Sequence, residues 1–589
     1  MSGSTKKKLR KEQAAAAMTE KQRQAQKEAK TLKAYTLTFV IVMVLVVSMV
    51  LGIALRSPVE SLINQNTHAV TIGTHELTIP EFSYYFVDEI NSYYLNLYNY
   101  YGSYASYFMG FNTNKSLNKQ VYDQSTGETW AQHFMKEAAE SAQTIYGLYD
   151  LAVKAGHTMT EDETKTMNGQ IEGLTTTAEA YGYSTVNAYL RGVYGNGATK
   201  ETYEEYIAVS ALANSFYAQY RESVKDSYTE ETFKKYEEDK VGQYYSYSYF
   251  LYQINVKDYL GEGTKDENGK VTYTEDEKAA ALAAARADVQ VLLDSGIIDE
   301  ATFNAALLKI QKETEKTEES TTKSTTSTES TDATTGSGST EDKKEETKDV
   351  PLCTVGTDVL YSSLSATLKD WVVSDKLVTG TTTSVEIKTE KEHTHPEGEE
   401  HSDDEEVEYE VTGFYVVLMT NVNKNDMKLV NVRHILITVD GITSSSTQEQ
   451  KDEADKAAKD QAEAILKQWK ENGGTPEYFA ELANKNSKDT GSNTNGGLYE
   501  DVYPGWAVKE FNAWCFDAER QAGDSGVVKT DNGYHVMYLD GYGEYTYRNY
   551  LIMNDKLNED MEAYLEGVIE ATPYVEVDLS RMNWDITFG

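Results

Sequence analysis

Cysteine is nearly absent. The 589 residues contain two, Cys353 and Cys515, which excludes a disulfide framework and a CxxC metal site. Cys515 sits between Trp514 and Phe516 on an apolar helix face and reads as core; nothing in the sequence supports pairing it with Cys353. Basic residues are also scarce. Lys and Arg number 55 against 95 Asp and Glu, a net charge of −40. A body that acidic repels phosphates, so nucleic-acid binding is excluded. Hydrophobic residues make up 40%, enough for packed cores, and the length allows several domains.

The basic residues that exist are unevenly placed. Residues 1–33 carry ten Lys or Arg against Glu12, Glu20 and Glu28, a charge of +7, which leaves −47 for the remainder. Residues 34–55 then contain no charge at all, and 22 residues at 1.5 Å each span a hydrocarbon core. The basic flank predicts a cytoplasmic tail 1–33, a single transmembrane anchor 34–55, and an extracytoplasmic body. A cleaved signal peptide with Gly52 and Ala54 near the cut is the alternative; the leader and the apolar run are both long for one. No cysteine follows the run, so a lipid-modified lipoprotein is excluded.

Residues 67–240 read as mainly helical after a short strand pair, with Thr160-Glu161-Asp162-Glu163 and Thr229-Glu230-Glu231 as helix starts. Tyrosine is dense here: Tyr84, Tyr85, Tyr93, Tyr94, Tyr98, Tyr100, Tyr101, Tyr104 and Tyr107. Its apolar ring and polar tip suit a surface that grips unfolded chains, and equally a half-buried helix face with wet hydroxyls. Residues 312–349 are Thr/Ser/Glu/Lys-rich and predicted to be disordered. Residues 390–408 form a second polar insert holding His393, His395 and His401. Nothing in that insert fixes ligand geometry, so a solvated loop is favoured over a metal site.

An internal repeat frames the inserts. Leu368-Lys369-Asp370-Trp371 matches Phe511-Asn512-Ala513-Trp514, Ile387-Lys388-Thr389 matches Val528-Lys529-Thr530, and Gly413-Phe414-Tyr415 matches Gly533-Tyr534-His535. Upstream, Tyr249-Phe250-Leu251 fits His434-Ile435-Leu436. One α+β domain type is therefore expected twice, at 241–425 and 426–545. The first copy carries Tyr249 and Tyr415 where the second has histidines. In the second copy Asn532-Gly533 predicts a two-residue hairpin turn.

The second copy has, in order, His434-Ile435-Leu436, Phe479-Ala480-Glu481-Leu482-Ala483, Ser487-Lys488-Asp489, Gly496-Gly497, a Phe511/Trp514 helix, and Gly533-Tyr534-His535. This series resembles the parvulin family of peptidyl-prolyl isomerases. With the anchor and the helical region, the whole chain resembles membrane-anchored extracytoplasmic foldases of the PrsA/SurA type. The resemblance implies a mainly helical SurA-like chaperone module, two parvulin-like α+β domains with the first degenerate, and a segment 546–589 packing back on the helical module.

By resemblance, His434, His535 and Asp489 form the polar cluster under the substrate prolyl bond, with Thr530 bonding the second histidine. Phe511 and Leu498 or Tyr499 line the proline pocket, beside Trp506, Ala507 and Phe479. Two departures stand out. Gly496-Gly497-Leu498-Tyr499 replaces the family's Gly-Gly-Asp-Leu-Gly, and Ala507 stands where Met is usual, leaving the pocket wider or open to the Trp506 ring. Rotation about an X-Pro bond needs no nucleophile, metal or cofactor, and none is expected. The expected partners are unfolded exported proteins. The competing function is a holdase that binds such segments without catalysis.

Overall fold

The computed structural model describes residues 58–265, 269–324, 352–391 and 408–585. The basic tail 1–33, the apolar run 34–55 and His393, His395 and His401 lie outside them. Among the described residues, no helix is long and apolar enough to cross a membrane. The chain divides into two compact units, Met1–Ser227 with Leu557–Gly589, and Tyr228–Lys556.

In the first unit, β1 (His68–Ile72) pairs antiparallel with β2 (His75–Thr78) on one side and with the strand Tyr574–Glu576 on the other. Helix α1 (Ile79–Tyr101) follows at once. Thr78 and Glu81 form a capping box, and Pro80 occupies the first turn, where its missing N–H costs nothing. Helices α2 (Trp130–Ala155), α3 (Glu161–Ala180), α4 (Val186–Tyr194) and α5 (Lys200–Asp226) each start behind a threonine whose hydroxyl accepts from the first turn. Each such cap contributes about 1 kcal/mol. The core gathers Ile72, Phe82, Phe86 and Phe134 with Met582 and Trp584 from the C-terminal tail. Gln143 on α2 donates to the carbonyls of Ile569 and Thr572 at 3.2 and 2.6 Å.

The second unit holds α6 (Glu230–Glu237) and two four-stranded antiparallel sheets. The first sheet comprises β3 (Ser246–Asn255), β4 (Thr354–Leu360), β5 (Thr382–Glu390) and β6 (Tyr409–Asn423), in the order β4-β3-β6-β5. The second comprises β7 (Lys428–Ile437), β8 (Leu498–Val502), β9 (Ser525–Thr530) and β10 (Gly533–Thr546), in the order β8-β7-β10-β9. The strand order is the same in both.

Helices α7 (Glu275–Leu293) and α8 (Glu300–Ser324), with the short α9 (Ala366–Val372), belong to the first sheet. Helices α10 (Gln448–Glu471) and α11 (Pro476–Asn486), with the short α12 (Lys509–Cys515), belong to the second. Helix α8 runs on to Ser324, into the segment expected to be disordered from residue 312.

The strand register corrects the repeat alignment. His434 faces Met537 and His535 faces Leu436 across β7 and β10. In the first sheet Leu251 faces Val417 and Gln253 faces Tyr415, while Tyr249 faces Met419. Val417 corresponds to Met537, so the place of His434 belongs to Leu251, not Tyr249. Likewise Ile387, not Thr389, pairs with Gly413 as Thr530 pairs with Gly533.

Strand alternation assigns the two faces of the second sheet. Ile435, Ile437, Tyr534, Val536 and Tyr538 pack against α10 and α11. Val430, Val432, Met537 and Leu539 pack on the other face against Phe511 and Cys515 of α12. His434 and His535 alternate with the first set, so they stand on the α12 face.

Candidate active site

His434 and His535 are 5% exposed each, and imidazole at that burial requires partners. Both have them. The Nδ1 atoms face each other at 3.0 Å, and the rings lie 5.2 Å apart and nearly parallel, at 15°. His434 Nε2 lies 2.9 Å from Asp489 Oδ2, and His535 Nε2 lies 2.9 Å from Thr530 Oγ1.

The hydrogen-bond network assigns the protons. Asp489 is acceptor only, so His434 donates through Nε2–H. Its Nδ1 then accepts from His535 Nδ1–H, and His535 Nε2 accepts from the Thr530 hydroxyl. The amide of Asn532 donates to Thr530 Oγ1 at 3.1 Å, which leaves that hydroxyl's proton for His535. All donors point toward Asp489.

Asp489 is the end of the line. Ser492 Oγ and Tyr499 OH also donate to its Oδ2, the latter at 2.9 Å. Burial pushes the carboxyl up, but the hydrogen bonds from Ser492, His434 and Tyr499 outweigh it and hold the group at about 2. The histidines move the other way. Burial lowers His434 despite Asp489, and burial with the neighbouring His434 lowers His535 to about 4. Near neutral pH the cluster thus holds one negative charge and two neutral rings.

Backbone geometry positions this chain. The His434 amide donates to the Gly497 carbonyl at 2.9 Å. Gly497 has φ +71°, and a Cβ there would sit 2.3 Å from the His434 carbonyl oxygen, so only glycine permits the contact. Arg433 ties the loop from the other face, bonding Asp540 at 2.9 Å and the Gly496 carbonyl at 3.1 Å. The hairpin differs from the expected Asn-Gly turn. Asp531 and Asn532 form the loop between paired Thr530 and Gly533, and the positive φ of +131° falls on Gly533 alone. A Cβ at Gly533 would meet the Ile437 carbonyl at 2.2 Å.

The apolar residues divide. Phe511 stands edge-on to both imidazoles, at 5.4 and 5.5 Å. Tyr499, Trp506 and Ala507 adjoin it: Trp506 is 4.6 Å from Tyr499 and 6.2 Å from Phe511, and Ala507 packs in the Phe511 cluster. Leu498 is brought elsewhere. It pairs with Arg433, on the other face, whereas Tyr499 pairs with Val432 on the site face. Phe479 is corrected outright. It is fully buried between Trp469 and Tyr538, each 5.6 Å away, in the core across the sheet, where no substrate reaches.

Two members escaped sequence reasoning. Ser492, fully buried, bonds Asp489 and lies 3.3 Å from His434 Nε2; the Asp-x-x-Ser spacing in a polar loop was the available signal. Met537 lies opposite His434 and completes the Phe511 cluster; its place two residues beyond His535 puts it on the same face.

The model of the PPIC-type PPIase domain matches residues 415–541. This segment is similar to PPIC-type domains. The relatives are consistent with that. Foldase protein PrsA 3 of Bacillus cereus is 37% identical over 102 residues, 17% of this chain and 34% of the relative. Foldase protein PrsA of Staphylococcus epidermidis is 32% identical over 128 residues, 21% of this chain and 37% of its own. The chain thus spans about a third of the length of the curated relatives it matches. A crystal structure of PrsA from Bacillus subtilis is similar at 22% identity over 27% of this chain and 56% of that one, with a TM-score of 0.17, too slight a superposition to compare arrangements. The PPIC-type domain contains the whole Thr530–His535–His434–Asp489 line.

Proposed function

We propose that this chain is an extracytoplasmic foldase that isomerises X-Pro bonds in unfolded exported polypeptides and holds those polypeptides with its helical unit. One observation carries the reading: the unbroken hydrogen-bond line from Thr530 through His535 and His434 to Asp489, set beneath Phe511, Tyr499 and Trp506.

Rotation about an X-Pro bond faces a barrier of ~18–20 kcal/mol from amide resonance. Phe511, Ala507 and Trp506 would hold the proline ring while the preceding carbonyl swings. A twisted amide has lost resonance and gains from fixed dipoles held ready for it. The neutral rings are locked in orientation by their partners, so no reorganisation is needed as the bond turns. Asp489 orients His434; its three donors leave it a poor base and it attacks nothing.

The layout belongs to the same proposal. Residues 34–55 would anchor the chain, supported by the basic leader and the uncharged run. The unit of residues up to 227 with 557–589 would be the chaperone module, supported by the Gln143 bonds and the shared core. The uncharged stretch 90–114 would contact clients, supported by the exposure of Tyr100 (88%) and Tyr107 (82%). The first sheet would be a degenerate copy, supported by Leu251 and Ile387 where the second has His434 and Thr530.

The test is cis/trans exchange of a short prolyl peptide, followed by NMR with the full chain. Acceleration that His434→Ala removes supports the reading. No acceleration by the wild-type chain leaves only the holdase.

A further inference from the structure

The first unit contains a cavity of about 570 Å³ lined by Tyr85, Tyr146, Tyr149 and Tyr206, with Glu81 and Glu205 among its walls. It is far larger than a water site and belongs to neither the PPIC-type domain nor the 90–114 stretch. We propose that it is a client-binding cage for a positively charged side chain, Arg or Lys, of an unfolded polypeptide. This rests on the foldase reading only in naming the client.

The aromatic walls are arranged for a cation. Tyr85 and Tyr206 meet at right angles with centroids 5.0 Å apart, Tyr146 lies 6.3 Å from Tyr85, and Tyr149 lies 6.5 Å from Tyr146. Ring faces at several orientations around one space attract ammonium and guanidinium groups through their quadrupoles. The carboxylates set the sign. Burial, then Glu81 and Glu205, push the Tyr146 phenol upward, which places both acids within electrostatic reach of that ring. A cation entering beside Tyr146 meets two carboxylates.

The walls are held in place before any ligand arrives. Tyr206 donates to half-buried Asp88 at 2.6 Å, and Glu81 is fixed by the Thr78 amide at 2.6 Å. His75 stacks on Tyr146 at 4.6 Å and is held by Asp150 at 2.8 Å. Such preorganisation lowers the ordering cost of binding. The Tyr85 hydroxyl, in a residue 3% exposed, has the hydroxyls of Tyr146 and Ser210 beside it, and a guanidinium has donors to spare for such acceptors. The net charge of −40 draws basic segments toward the chain and repels acidic ones.

The experiment measures binding of fluorescent twelve-residue peptides to the full chain by anisotropy. The peptides differ at one position, Arg against its neutral isostere citrulline. Arg is expected to bind about tenfold more tightly, in line with a partly desolvated cation–π contact. Glu205→Gln, at an exposed position, should cut that preference about threefold, and Tyr146→Leu should nearly abolish it. Turnover of a short prolyl peptide should be unchanged in Glu205→Gln. Equal binding of the two wild-type peptides overturns the proposal, as does a preference that both variants leave intact. Choline is the control ligand: if it displaces the Arg peptide more tightly than the peptide itself binds, the cage belongs to a small quaternary ammonium and the proposal fails. If the Arg preference holds while the chain shows no prolyl turnover, the isomerase reading fails and the cage stands.

Discussion

The Nδ1 atoms of His434 and His535 lie 3.0 Å apart, so one proton sits between them and two cannot. Charging His434 places two Nδ1–H groups nose to nose, and charging His535 sets an Nε2–H against the hydroxyl proton of Thr530. The pair is therefore a rigid, neutral element, and its neighbours are chosen to keep it so.

Replacing His434 tests that rigidity. His434→Ala leaves His535 Nδ1–H and Asp489 Oδ2 each short of a partner. Turnover of a prolyl peptide should fall by about 10²-fold, the scale set by misplacing groups around a reacting bond. Each buried group left unpaired costs about 1–3 kcal/mol, so the urea midpoint of the second unit should fall as well. A variant with full turnover would remove the relay from the mechanism.

Acid should weaken the second unit before ordinary carboxylates titrate. His535 is pushed from 6.5 down to about 4 in the folded chain, and His434 moves in the same direction. The unfolded chain thus binds a proton that the folded chain refuses between these values. The stability is complete above pH 6.5 and drains as pH falls toward 4. For His535 alone the loss at pH 5 is about 2 kcal/mol. Asp489, held at about 2, refuses a proton below the usual 3.8 and adds a second loss from there downward. Urea unfolding at pH 7 and pH 5 should show the first step, and His535→Gln should flatten it. A midpoint independent of pH from 7 to 5 would contradict the buried neutral pair.

How much of this was legible in sequence follows from which features have local signatures. His434, Asp489, Thr530 and His535 stand in ordered motifs, and each names its own position. The second sheet's helices and hairpin strands show their period directly. Phe479 did not reveal its face, because Phe-Ala-x-Leu-Ala is an apolar helix motif whichever side of the sheet it covers. Tyr249 and Leu251 lie two residues apart on one strand, and an offset of two keeps the alternation of faces, so the apolar pattern alone does not choose between them. Ser492 was missed because a loop serine earns its meaning only when Asp489 turns back on it.

The first sheet should be catalytically silent. Leu251 and Ile387 occupy the places of His434 and Thr530, and Tyr415 that of His535. No hydrogen-bond line can cross a leucine. All prolyl turnover of the full chain should then vanish with His434→Ala and His535→Ala together, and none should be lost with Tyr415→Phe. Residual wild-type-like turnover in the double variant would place a second site elsewhere.

Trp506 offers the sharpest test of the pocket. Ala507 supplies one methyl where the family carries a long thioether, yet the Phe511 cluster is closed on that side by Tyr499 and by the Trp506 ring 4.6 Å from it. That ring is 38% exposed, so it is a wall rather than core, and removing it should spare the fold. Trp506→Ala should then raise KM for a prolyl peptide about tenfold, with kcat little changed, since the lost contact serves ground state and transition state alike. Adding Ala507→Met to that variant restores apolar volume from the next residue, at about 0.8 kcal/mol per methylene-sized group buried, and should recover most of the loss. Adding Ala507→Met to the wild-type chain should not help, because the tryptophan ring already fills the space. If Trp506→Ala leaves KM unchanged, the proline ring is held by Phe511 and Met537 alone.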